Sequence, residues 1–111
     1  MANPSYEFQG LPDETERIVV TDVAQSFTAA QYRKNSSPAI AVVLTCETNP
    51  IRFTLGGSVP TAGVAGLGHI LYVGQSLRLS SGRAIQTFSF LNHTQQDEAI
   101  LQATWEFEPG V

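Results

Sequence analysis

The sequence predicts an all-β protein, an antiparallel sandwich preceded by an extended N-terminal arm. Three observations carry this. Apolar and polar residues alternate at Ile51, Phe53 and Leu55, and again at Leu77 and Leu79, the period-two repeat of a strand with one buried face. The last apolar stretch sets Leu101, Ala103, Trp105 and Phe107 on one side. Gln102, Thr104, Glu106 and Glu108 fall on the other, so one face is buried and one wet. Candidate strands recur at roughly ten-residue spacing between glycine and proline turns, as in a sandwich or barrel.

Each element follows in order. Residues 1–14 contain Pro4 and Pro12 and no sustained period, which excludes a helix interior. They form the arm, with Tyr6, Phe8 and Leu11 as apolar anchors for a neighbouring protein or for the arm's own sheet. Residues 15–111 form the sandwich domain. Thr15 to Asp22 is a strand driven by Ile18, Val19 and Val20. Gln25 to Lys34 is a short helix or an irregular loop that packs through Phe27 and Tyr32. Asn35-Ser36-Ser37-Pro38 turns the chain. Ala39 to Glu47 is the most apolar strand and is expected at the centre, covered on both faces. Asn49-Pro50 turns into the strand Ile51 to Leu55.

Gly56 to Gly68 holds five glycines and Pro60, so it is a long loop, and long loops on small domains are usually functional or mobile. Leu71 to Val73 and Ser76 to Leu79 are short strands around Gly74. Ser80-Ser81-Gly82 is a tight turn. Ile85 to Leu91 and Ala99 to Glu108 form a closing hairpin across Asn92 to Glu98.

Composition bounds the function. A chain of 111 residues is one domain, which buries roughly two-thirds of its unfolded surface. Charged residues make up 14%, below the usual ~25%. Either part of the surface is covered by other protein, or the abundant Ser, Thr, Gln and Asn supply the polarity. Glu7, Asp13, Glu14 and Glu16 give the first sixteen residues the whole net charge of -4. The remainder balances six acidic against six basic side chains. No basic patch is present to neutralise several phosphates, so direct nucleic-acid binding is not expected. Cys46 is the sole cysteine and is expected to be a small buried hydrophobe. The polar, acidic start does not resemble a secretory signal, and no run of ~18 apolar residues would span a membrane.

Gly68 is followed by His69-Ile70-Leu71, not by the Lys and Ser/Thr of a phosphate loop. His69 and His93, the two histidines, lack local metal-ligand spacing. His69 is expected to cap a strand and bond to backbone, and His93 to sit at a hairpin tip. No Gly-x-Ser-x-Gly elbow occurs. Asp13-Glu14 and Asp97-Glu98 are adjacent pairs whose members point apart in extended chain. Trp105 shares its face with Leu101, Ala103 and Phe107 and is expected in the core, not on a sugar-stacking platform. No enzyme, cofactor or metal is expected. Val59, Val64 and Leu67 are apolar in a loop without a charge, which favours a contact with another subunit.

The run from Ile51 to Thr61, with Gly68-His69-Ile70-Leu71-Tyr72-Val73-Gly74-Gln75-Ser76-Leu77-Arg78-Leu79 and the strands from Ala84 and Ala99, resembles small structural proteins of tailed-bacteriophage virions. The resemblance covers residues 15–108. It implies an immunoglobulin-like or jelly-roll-like sandwich. It also implies a capsid decoration or cement role in the virion, with the major capsid protein or neighbouring virion proteins as partners, self-association, and assembly in the host bacterial cytoplasm. A neck or tail component is the second reading. Thr54-Leu55-Gly56-Gly57-Ser58-Val59-Pro60-Thr61 is also similar to a turn in immunoglobulin-like domains appended to chitin-degrading enzymes, which would make the chain a carbohydrate-binding module. Gly56 stands where those turns carry an acidic residue.

Overall fold

The computed structural model describes residues 11–34, 37–94 and 97–108. They form ten strands and two short helices. In chain order these are β1 (Leu11–Val20), β2 (Gln25–Ser26), α1 (Ala29–Tyr32), β3 (Arg33–Lys34), β4 (Ser37–Pro38) and β5 (Ala41–Glu47). There follow β6 (Ile51–Thr54), β7 (His69–Leu71), β8 (Ser76–Leu79), α2 (Gly82–Thr87), β9 (Ser89–Asn92) and β10 (Ala99–Phe107). One four-stranded sheet has the order β1-β10-β5-β8 and the other β2-β9-β6-β7, while β3 and β4 form a small ribbon. Every pairing is antiparallel. The expected all-β antiparallel sandwich is the observed fold.

The core lies between the two sheets. Strand β10 faces inward through Leu101, Ala103, Trp105 and Phe107, all buried, as the alternation predicts. It pairs with β5 in a register that sets Trp105 opposite Val42 and Ala103 opposite Leu44. From the other sheet come Ile51 and Phe53 of β6 and Phe90 of β9. The ring of Phe27 joins the layers. It meets Trp105 edge-on at 4.9 Å and stacks on Phe88 at 5.3 Å, geometries that suit the ring quadrupoles. Strand β5 is central and largely buried on both faces, as its composition requires.

Several expectations are corrected. The first strand starts at Leu11, not Thr15, and Leu11 and Pro12 register with Phe107 and Glu106. Pro12 is compatible because β1 is an edge strand and its register shifts between Pro12 and Thr15, where a missing N–H is tolerated. Residues 11–14 therefore belong to the sheet's backbone. The anchors Tyr6 and Phe8, and the side chain of Leu11, lie outside the described residues, as do Asn35 and Ser36 of the expected turn.

The expected tight turn at Ser80 to Gly82 begins a helix instead. The Ser81 hydroxyl accepts the Ala84 N–H at 3.0 Å, an N-cap that starts α2. Ile85 and Phe88, three apart, then both enter the core. The expected hairpin between Ile85–Leu91 and Ala99–Glu108 does not form, because β9 and β10 lie in different sheets. Phe90 and Trp105 both pack on Phe27, so the two strands face each other across the core. The outer face of β10 is not uniformly wet either. Glu106 is fully buried and is clasped by Arg78 of β8.

Candidate functional site

The candidate site is built on Arg52, which is buried and bonded to the carbonyls of the loop that follows it. On β6 the inward positions are Ile51 and Phe53, so Arg52 and Thr54 occupy the outer face of their sheet. Arg52 registers with Ile70 of β7 and Leu91 of β9. An outward arginine at the centre of a sheet would ordinarily reach water. This one is only 7% exposed, because the Gly56–Gly68 loop folds back over it.

The bonds explain how. Arg52 Nη1 donates to the Gly68 carbonyl at 2.6 Å, and Nη2 to the Gly63 carbonyl at 2.8 Å, with Val64 O at 3.5 Å. A guanidinium fork can span carbonyls from two parts of one loop, which an ammonium point charge cannot. Thr54 Oγ1 donates to the Ser58 carbonyl, and Pro60, within the loop, is fully buried. Thr61 and Leu67 close the loop on itself. The Thr61 N–H donates to Leu67 O at 3.1 Å, and the Leu67 N–H to Thr61 Oγ1 at 2.7 Å. The Gly63 N–H donates to the His93 carbonyl at 2.9 Å. The result is a compact loop with neighbouring ends, of the Ω type.

Two glycines are required by this geometry. A Cβ on Gly66 would lie 2.0 Å from the Thr61 carbonyl oxygen. Gly68 has φ +121 and would press a Cβ to 2.7 Å from Phe53 O, a backbone state that side chains rarely adopt.

Electrostatically, the loop carbonyls surround a buried cation. Among the described residues no carboxylate forms an ion pair with Arg52, and its Nε is buried without a hydrogen-bond partner. The charge that organises the loop thus comes from the strand before it. The sequence reading missed Arg52, although an arginine on an alternating strand just before an uncharged, glycine-rich loop was the available signal.

The loop presents apolar side chains outward. Val59, Val64 and Leu67 are all exposed, and Leu55 joins them. The structure does not gather the three into one spot. Leu67 and Leu55 line an open cleft of about 350 Å³ with Thr54, Ser58, Gly68 and His69. Val64 follows Gly63 at the shoulder held by His93. Tyr72 and Val73, on the next connection, are exposed too and were not singled out from sequence.

The remaining candidates are accounted for structurally. His69 opens β7 with its ring 5.4 Å from that of Phe53. His93 is half-buried, and its N–H donates to the Pro50 carbonyl at 3.0 Å. Trp105 is 4% exposed and cannot stack on a sugar. Cys46 is buried and donates its thiol to Asn49 O at 3.1 Å. Burial pushes its pKa up to about 11, with Glu47 adding to the rise and a backbone hydrogen bond opposing it. Among the described residues no three His, Cys, Asp or Glu side chains form a group that could hold a metal ion. No helix there is long and apolar enough to cross a membrane. No protein-family model, curated protein or solved structure matches the chain.

Proposed function

We propose that this chain is a non-enzymatic structural protein of a tailed-bacteriophage virion, a decoration or cement protein of the head. It attaches to the major capsid protein or to neighbouring virion proteins, its own copies included. One observation carries the attachment: an apolar loop surface held in a single shape by a buried arginine. Exposed Val59, Val64 and Leu67 are ill suited to water, and large apolar side chains held out by a fixed loop suit burial against another protein. Fixing the loop beforehand matters because ordering a side chain on binding costs about 0.5–1.5 kcal/mol each. The low charged fraction of 14% suits a surface that is partly covered in an assembly. The resemblance in the β6–β8 region supplies the phage setting. A place in the neck or tail would use the same surface.

The test is to band virions from the bacterial strain that carries this gene and to identify their proteins by mass spectrometry. The chain is expected in the particle band at many copies per particle. Its confinement to the soluble fractions would overturn the virion reading.

A further inference from the structure

Several connections converge on one end of the sandwich. The Asn92 N–H donates to the Thr21 carbonyl at 2.9 Å, and the Gly74 N–H to Cys46 O at 2.8 Å. Asn49 Nδ2 donates to Glu98 O at 2.8 Å. Ile51 registers with both Asn92 and Leu71, so three neighbouring strands end together, within about 10 Å at the usual strand spacing. Gly63 joins this end through its bond to His93.

Four apolar side chains stand out there. Val23 is 67% exposed, Val64 98%, Tyr72 55% and Val73 53%. Asp22, Asp97 and Glu98 lie in the connections at this end, and Glu47 ends β5 there with its carboxylate accepting from Gln102 Nε2 at 3.0 Å; all four are exposed. None of the basic groups among the described residues is in the connections at this end, and the one nearest Glu47 by register is Arg17. Arg17 registers with Gln102 within the first sheet, and Arg33 and Lys34 belong to the β3–β4 ribbon. Arg52 lies under its loop, Arg78 clasps Glu106, and Arg83 is in α2.

We propose that this end docks a protein surface whose apolar centre is rimmed by lysine and arginine. The inference rests on the assembly reading above and adds the partner's chemistry. The sign of the charge selects that partner. Phosphate-bearing surfaces, whether nucleic acid or anionic lipid, are repelled by four carboxylates. The same end of a second copy is repelled for the same reason, so a two-fold dimer through this end is disfavoured. A basic rim is attracted, which speeds encounter and fixes orientation, while the apolar centre supplies the burial.

The experiment titrates the isotope-labelled protein with a short amphipathic peptide of leucine and lysine, read by amide NMR shifts. Control peptides contain leucine and glutamate, or serine and lysine. Shifts are expected at residues 21–23, 63–65, 72–74 and 97–98. Affinity is expected to fall about tenfold with either control and with the double variant Val64→Ser/Tyr72→Ser, whose unfolding midpoint confirms its fold. Asp22→Asn/Glu98→Gln is expected to remove much of the salt dependence. Equal binding of the glutamate peptide, or shifts scattered over both sheets, overturns the proposal. The titration involves no virion. Absence of the chain from particles would therefore remove the phage setting and leave this docking chemistry standing, whereas a peptide that fails to bind removes the docking chemistry alone.

Discussion

The Arg52 guanidinium reaches the Gly68 carbonyl at 2.6 Å, tying the middle of β6 to the last residue of the loop that follows it. The two are sixteen residues apart in sequence, yet the same side chain also holds Gly63. The loop is therefore a fixed part of the domain's surface, and its apolar residues are presented from a rigid base.

Replacing Arg52 by methionine should loosen the loop before it unfolds the domain. Charge-assisted hydrogen bonds contribute about 1.5–3 kcal/mol where a buried partner is left unmet. A loss of about 3 kcal/mol corresponds to a midpoint lowered by about 13 °C in a domain of this size. Hydrogen exchange at Gly66 and Leu67 should accelerate more than at β5. Arg52→Lys should not restore protection, because one ammonium cannot span both carbonyls. Unchanged exchange in Arg52→Met would show that the clamp is dispensable.

Arg78 and Glu106 make a second, separable relationship. Arg78 Nη2 donates to Glu106 Oε1 at 3.1 Å, and Nη1 contacts the other oxygen. Glu106 is fully buried, while the Arg78 side chain is 19% exposed. Removing one partner of such a pair strands a buried charge, at about 3 kcal/mol. Chemical denaturation of Arg78→Met should show this loss, and Arg78→Met/Glu106→Gln should recover much of it. Equal destabilisation of the single and double variants would place the loss in packing instead.

Trp105 tests the core. Truncation to alanine should destabilise by about 3–5 kcal/mol. Its indole N–H is buried without a hydrogen-bond partner, so Trp105→Phe forfeits no hydrogen bond and should lose less than the alanine variant, through the smaller cavity it leaves. Calorimetric midpoints of the two variants check both expectations. A phenylalanine variant as unstable as the alanine one would mean that the nitrogen is satisfied.

Cys46 should be inert in the folded protein. With its pKa raised to about 11 by burial, the thiolate fraction at pH 8 is about one in a thousand, and the thiolate is the reactive form. The neutral thiol is the folded form at every pH below that value. The raised pKa means stability falls as pH climbs past the ordinary thiol range, because the unfolded chain ionises first. Labelling with a thiol reagent at pH 8 should proceed only as fast as the chain opens. Rapid native labelling would contradict the burial.

Much of this was legible in the sequence, and the failures have physical causes. The alternation in β10 placed Trp105 and Phe107 correctly, because period two maps directly onto a face. The apolar run of β5 announced a central strand. The helix α2 was missed because Phe88 and Phe90 alternate as in a strand and the Ile85–Phe88 spacing of three passes as part of that run, while the deciding Ser81 cap is a local hydrogen bond. Sheet assignment of β9 and β10 was missed because pairing depends on what lies across the core, here Phe27. That residues 56–68 form a long loop was legible from five glycines and Pro60. Arg52 was not, since alternation gives it to solvent and only the returning loop buries it. Tyr72 and Val73 read as strand until the turn at Gly74 set them outside.

The most direct measurement is saturation binding of the purified chain to virions from a strain deleted for its gene, comparing wild type with Val64→Asp. Val64 is 98% exposed, so the substitution leaves folding intact while placing a charge in the apolar centre of the contact. The expected result is saturable binding of the wild type and at least about tenfold weaker binding of the variant. Absence of wild-type binding, or equal binding by both proteins, would contradict the account.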